Sequence, residues 1–136
     1  MKQTHFQLQT VLRIRSIRVR RQAAMVAESE NKLKQQLTAQ QQLQRDLIAI
    51  QENHVQTRRA RLEKLKGGQT NIREFLELKD SENTFDWKRN QMTREGDVLG
   101  DQIQQSRVDW IAEKTKYKEL EKASIKVEEY LKLDWT

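Results

Sequence analysis

The sequence predicts an all-α protein in which two long helices form an antiparallel coiled-coil hairpin. Three observations lead to this fold class. The chain of 136 residues contains no proline and only four glycines, so it has few of the residues that build turns. Charged residues make up 34% of it and glutamine occurs 17 times, a composition typical of long helices. Apolar residues also recur at heptad spacing on both sides of one central break.

The central break is the pair Gly67-Gly68, in the middle of the chain. Lys64 and Lys66 precede it, and cations are favourable at the C-terminus of a helix. Asn71 follows it and predicts the N-cap of the next helix. These signals divide a single predicted domain, residues 1–136, into helix one at about 5–66, a turn at 67–70 and helix two at about 71–132.

Each helix carries a heptad series that predicts its buried seam. In helix one the series is Leu12, Val19, Val26, Leu33, Gln40, Leu47, His54 and Arg61. In helix two it is Leu78, Phe85, Met92, Leu99, Ser106, Glu113, Leu120 and Val127, with a companion series that includes Phe75, Ile103, Trp110, Tyr117 and Leu131. Because the series continues through the polar residues 80–86, we predict helix there and no second turn.

A turn centred near residues 69 and 70 fixes which seam residues of the hairpin face each other. It pairs residues whose numbers add to about 139. This pairing places Leu43 opposite Gly96 and His54 opposite Phe85. Apolar residues therefore mostly meet apolar residues across the predicted seam, and the bulky Leu43 meets a glycine.

The sequence contains no catalytic constellation. His5 and His54 stand alone, there is no cysteine, and no carboxylates cluster at metal-ligand spacing. Gly67-Gly68 lacks the lysine and the serine or threonine that follow the glycines of a phosphate-binding loop. We therefore expect a protein that is not an enzyme and binds no metal and no cofactor.

The hydropathy pattern predicts a cytoplasmic protein. No run of 18 apolar residues occurs, so we expect no direct insertion into a membrane. The first ten residues, MKQTHFQLQT, lack the continuous apolar segment of a signal peptide.

Basic residues are concentrated at the start of the chain. The first 27 residues contain six basic side chains and no acidic one, and five of the six are arginines in LRIRSIRVRR, residues 12–21. A strand is excluded because the heptad continues from this stretch into Val26 and Leu33. Nucleic-acid binding would suit the charge, but the stretch has no aromatic residue for stacking and no known reading module. Arginines with intervening isoleucines best suit an acidic, partly apolar groove or ring, because guanidinium groups pair bidentately with carboxylates.

Several apolar residues fall off the predicted seam. They mark either contact surfaces or local misregister and self-association. One group lies near the chain ends, and it comprises Ile14, Ile17, Ile125, Leu133 and Trp135. A second group comprises the seven-residue stripe Ile48, Val55 and Leu62, with Leu76 beside it and Trp87 at the most exposed heptad position of helix two.

The organisation of the whole chain resembles a known family. A basic opening, LRIRSIRVRRQAA, a central break and two long helices are similar to the central stalk of type III secretion systems, the YscO-type (SctO) family, whose flagellar relative is FliJ. The opening is most similar to virulence-type members. The resemblance implies that the end with both termini inserts into the pore of a hexameric ATPase and promotes its assembly and turnover. It also implies that the other end contacts the cytoplasmic ring of the export gate, and some members escort secretion chaperones.

Carried onto this sequence, the resemblance implies two sets of contact residues. The ATPase-binding set is Arg13, Ile14, Ile17, Arg18, Arg20, Arg21, Ile125, Lys126, Lys132 and Trp135. The gate-binding set is Ile48, Val55, Leu62 and Leu76. Three alternatives stay open beside the virulence-type stalk: a flagellar stalk of the FliJ type, a self-assembling coiled coil, and a basic coiled coil that binds nucleic acid.

Overall fold

The computed structural model describes residues 2–68 and 71–135, and the side chains of residues 3–68 and 71–133. Helix α1 spans Lys2–Lys66 and helix α2 spans Ile72–Trp135. The described residues contain no strand, and the two helices pack against each other. The predicted all-α helical hairpin is confirmed.

Both helices extend slightly beyond the predicted bounds at the chain ends. Helix α1 begins at Lys2 instead of residue 5, and α2 continues to Trp135 instead of residue 132. The terminal segments contain no glycine or proline that would stop a helix earlier. The polar residues 80–86 lie inside α2, as predicted.

The C-terminus of α1 is closed by its two glycines. The N–H of Gly67 donates to the carbonyl of Glu63 at 3.1 Å, and the N–H of Gly68 donates to the carbonyl of Leu65 at 3.2 Å. Gly68 has φ = 70°, in the left-handed region that only glycine adopts without strain. The remaining residues of the predicted turn, 69 and 70, lie outside the described residues.

Helix α2 begins with the predicted N-cap. The side-chain oxygen Oδ1 of Asn71 accepts a hydrogen bond from the N–H of Glu74 at 3.0 Å. The first helical residue is therefore Ile72, one position later than the predicted helix start. This contact satisfies one of the N–H groups that a helix start leaves without an intrahelical partner.

The chain comprises two compact units, and each contains a segment of both helices. The termini unit consists of Met1–Gln35 and Ile103–Thr136. The turn unit consists of Gln36–Gln102. That the whole chain is one domain stays a prediction.

In the turn unit the seam follows the predicted pairing. The rings of His54 and Phe85 are stacked, with centroids 3.8 Å apart and planes inclined by 1°. A β-carbon placed on Gly96 would lie 3.6 Å from Cδ2 of Leu43, so these two positions also oppose each other. Both predicted pairs are confirmed.

One predicted seam residue of the turn unit is not in the seam. Phe75 is 55% exposed. The pairing places it opposite Lys64, whose exposed, charged side chain leaves the ring uncovered. The prediction that Phe75 is a seam residue is therefore wrong.

The seam of the termini unit combines apolar and polar side chains. Leu33, Ile103 and Val127 are buried, but so is Gln22. The amide Nε2 of Gln22 donates to the backbone carbonyl of Glu113 at 3.0 Å and also to its carboxylate. Such a satisfied polar layer lowers stability relative to apolar packing but opposes a slip of the two helices along each other.

We predict that a pair of cysteines at opposed seam positions will form a disulfide within one chain. Leu33 and Ser106 are both buried in the termini unit and oppose each other in the predicted pairing. Leu33→Cys with Ser106→Cys should therefore crosslink intramolecularly on mild oxidation, because facing β-carbons of a seam come within disulfide reach. Denaturing electrophoresis without reductant measures this. Leu33→Cys with Val108→Cys is the control, since Val108 is exposed and should not pair; a crosslink only between chains would contradict the hairpin.

We further predict that the two glycines of the break differ in their tolerance of alanine. Gly68→Ala should lower the free energy of unfolding by about 1 kcal/mol, because the left-handed conformation strains any residue with a β-carbon. Gly67→Ala should be neutral, since its β-carbon would meet the carbonyl oxygens of Lys64 and Glu63 at the ordinary distances of 3.5 and 3.6 Å. Urea denaturation of both variants measures the difference, and equal destabilisation would contradict the assignment.

Candidate partner-binding surfaces

The arginine-rich stretch lies on exposed positions of α1 in the termini unit. Arg13, Arg18, Arg20 and Arg21 are exposed, whereas Arg15 is half-buried in the seam. None of the four exposed guanidinium groups makes an ion pair or a hydrogen bond with another described side chain. Their charge is therefore left uncompensated by local pairing.

Several arginines of the turn unit are arranged differently. Arg58 lies 2.9 Å from a carboxylate oxygen of Glu82 on the other helix. Arg73 lies 3.6 Å from the carboxylate of Glu77, and Arg89 lies 3.5 Å from that of Asp86. Exposed pairs of this kind stabilise a protein by only about 0–1 kcal/mol. Their relevance is that they neutralise charge within the chain, which the arginine-rich stretch does not do.

Exposed apolar side chains lie beside the unpaired arginines. Ile14 and Ile17 are about half-exposed on α1, and Ile125 is similarly exposed on α2. Lys126 and Lys132 are exposed on the same segment of α2. Trp135 belongs to α2, but its side chain lies outside the described part of the structure.

The turn unit carries the second candidate surface. Ile48, Val55, Leu62 and Leu76 are all exposed, by 39% to 54% of their area. The first three repeat every seven residues on the outer side of α1 and do not contribute to the seam. Trp87 is also exposed in this unit, on the outer side of α2.

Sequence reasoning missed other exposed apolar residues of the termini unit. Val11, Met25 and Tyr130 are among them, with 39%, 48% and 64% of their area exposed. The signal was present, because all three fall beside the two heptad positions that form the seam. They were not singled out since isolated apolar residues at such positions are common on helix surfaces.

The described residues offer little for chemistry. No group of three or more histidines and carboxylates within them could hold a metal ion. The turn unit has an open, largely apolar groove of about 480 Å³ lined by residues that include Ala39, Leu43, Val98 and Leu99. His54 is stacked in the seam, and the Nε2 atom of His5 lies 3.1 Å from the side-chain amide nitrogen of Gln9. That the protein is not an enzyme stays a prediction.

No described helix is long and apolar enough to cross a membrane. Comparisons with known protein families, with curated proteins and with solved structures find no match to this chain. The chain is therefore defined by its architecture, an all-α helical hairpin, and by the side chains that its two units expose.

We predict that the exposed stripe of the turn unit does not contribute to stability. Val55→Ser combined with Leu62→Ser should change the free energy of unfolding by about 1 kcal/mol or less, because Val55 is 53% and Leu62 39% exposed already in the folded state. The matched control is Leu78→Ala in the seam of the same unit, which should cost about 2 kcal/mol or more. Thermal and urea denaturation measure both, and a large loss in the double variant would place the stripe in the core.

Proposed function

We propose that this protein is the non-enzymatic central stalk of a bacterial type III secretion export apparatus of the virulence type. The observation that carries the proposal is the set of exposed arginines in the termini unit that lack carboxylate partners within the described chain. The helical hairpin and the resemblance of the basic opening to the YscO-type family agree with it. The proposed site of action is the cytoplasmic face of a membrane-embedded secretion machine.

In this proposal the termini unit binds in the pore of the hexameric secretion ATPase. The guanidinium groups of α1 pair with carboxylates that line the pore, and such pairs strengthen where the pore excludes water. Ile14 and Ile17 supply the apolar part of the contact. The segment of α2 in this unit contributes Ile125, Lys126, Lys132 and Trp135.

Binding of this kind accounts for both assembly and turnover. A ligand that binds the assembled ring and not its separate subunits shifts the equilibrium toward the ring by mass action. In this proposal the assembled ring is the active form of the ATPase, so turnover rises with assembly. The hairpin needs no catalytic group of its own for this role.

The turn unit in turn contacts the cytoplasmic ring of the export gate. Its aliphatic stripe, Ile48, Val55 and Leu62 with Leu76, presents an apolar surface that a complementary groove would bury. The stalk thereby couples the ATPase to the gate. Some members of the YscO-type family also escort secretion chaperones. We extend that role to this protein as part of the proposal.

Three other functions can be weighed against this one. Unpaired arginines also suit nucleic-acid phosphates. The exposed Ile14 and Ile17 favour a protein partner, because apolar side chains between the arginines gain nothing from a phosphate backbone. A self-assembling coiled coil would use the exposed apolar stripes and leave the arginines unexplained. A flagellar stalk of the FliJ type would use the same kinds of contact and would differ from the virulence-type stalk in its partners.

We predict that reversing the charge of the stretch will abolish stimulation of the ATPase. Arg13, Arg20 and Arg21 changed together to glutamate should prevent binding to the purified secretion ATPase, because like charges then oppose each other across the contact. The wild-type interaction should weaken as salt rises, since physiological ionic strength screens charges beyond about 8 Å. Steady-state hydrolysis with and without the stalk measures the effect.

The matched control reverses three exposed arginines of the turn unit, Arg45, Arg59 and Arg94, which gives the same net charge. Stimulation should persist in this control. If the first triple variant stimulates the ATPase as well as wild type does, the stretch is only a hydrated surface and the proposal fails. A pull-down from the native cytoplasm separates the alternatives, because it recovers a hexameric ATPase, nucleic acid or only the protein itself.

A further inference from the structure

One groove of the termini unit defines which residues of the two helices share a side of the seam. Glu28, Ser29 and Lys32 of α1 line it together with Ser106 and Asp109 of α2. Its volume is about 200 Å³. Residues of α1 on the same side of the helix as Lys32 and residues of α2 on the same side as Asp109 therefore lie on one common side of the seam.

Heptad spacing extends this side toward the chain ends, because residues seven apart lie on the same side of a helix packed in a seam. Steps of seven from Lys32 and Glu28 lead along α1, and steps of seven from Asp109 lead along α2. The steps along α2 pass Lys116, which pairs with Glu113, and the half-buried Ala123. The other residues reached are exposed and form what we name the Ile14 face: Val11, Ile14, Arg18, Arg21, Met25 and Tyr130.

Arg13 and Arg20 lie on the other side of the seam. They share that side with Ile125 and Lys132 of α2, and these four residues are named the Arg13 face. Two exposed carboxylates of α2, Glu121 and Glu128, flank the seam on this side, and so does the exposed Lys118, seven residues before Ile125. Among the described residues of α2 on the side of the Ile14 face, Glu119 and Lys126 lie opposite the arginine-rich stretch.

The residues of α1 on the Ile14 face form a second, uncovered seam. Val11, Ile14, Arg18, Arg21 and Met25 are spaced by alternate steps of three and four, which is the spacing by which one helix packs along another. The two central layers are arginines without partners among the described residues, and the outer layers are apolar. Arginine, methionine and tyrosine are also the side chains that protein interfaces favour.

We infer that the partner of the termini unit docks one helix along the Ile14 face. Charge complementarity assigns the chemistry of that helix: carboxylates at its two central layers, opposite Arg18 and Arg21, and apolar side chains in the layers beyond them. Tyr130 of α2 borders the same contact. The Arg13 face contributes less, through long-range attraction. That the helix belongs to the secretion ATPase rests on the proposed function; that it docks on one side does not.

The experiment compares two pairs of charge reversals with the purified hexameric secretion ATPase of the source organism. Arg18→Glu with Arg21→Glu alters the Ile14 face, and Arg13→Glu with Arg20→Glu alters the other face by the same charge. We expect the first pair to raise the Kd at least about tenfold more than the second, because it turns two direct ion pairs into repulsions. Far-ultraviolet circular dichroism establishes whether each variant remains helical. If either pair does not, both pairs are compared as glutamine variants, Arg18→Gln with Arg21→Gln against Arg13→Gln with Arg20→Gln.

A second comparison tests the apolar layers without any change of charge. Ile14→Ser with Met25→Ser should also raise the Kd about tenfold, by removing two apolar contacts. Val108→Ser with Ile111→Ser is the matched control, since these side chains of the termini unit are similarly exposed but off the Ile14 face. The control should bind as wild type does.

The outcomes separate the inference from the proposed function. Equal losses from both arginine pairs would overturn one-sided docking and leave the ATPase assignment standing. If all four reversals together leave binding intact, both fail. Should the wild-type protein dimerise in sedimentation analysis and Ile14→Ser with Met25→Ser abolish the dimer, the face is occupied by a second copy of this chain and the inference is wrong.

Discussion

Two helices can bury only the sides that they turn toward each other, and the other features of this molecule depend on that constraint. Even Ile103, the most buried apolar residue among those that the structure describes, is still 4% exposed to solvent. Every residue off the seam is therefore available for contact. In such a protein the heptad register determines both what stabilises the hairpin and what a partner can reach.

The seam itself is not optimised for stability. Gln22 and Glu113 place a polar layer in the termini unit, and the buried Nε of Arg15 has no hydrogen-bond partner among the described residues. An unsatisfied buried group of this kind costs about 1–3 kcal/mol. The Gln22–Glu113 layer is nevertheless specific, because sliding the helices by one heptad would separate the two groups and take from the buried Gln22 amide both of its acceptors on Glu113.

The distribution of ion pairs links the fold to the proposed function. Glu82 on α2 compensates Arg58 across the seam in the turn unit, but the arginine-rich stretch of α1 has no such pairing. Arginines that form no ion pair within the chain do not have to break one before they pair with carboxylates of a partner. In the proposed function, these unpaired arginines are the side chains that an acidic partner would use.

Much of the fold followed from the sequence alone, because helix periodicity, N-caps and glycine breaks depend on neighbouring residues. The Asn71 cap, the helix through residues 80–86 and the position of Ile14 off the seam are of this kind. The exposure of Phe75 and the grouping of Lys32 with Asp109 in one groove were decided only by the tertiary structure. Both depend on what the opposite helix places at the same level, and those residues are far away in the sequence.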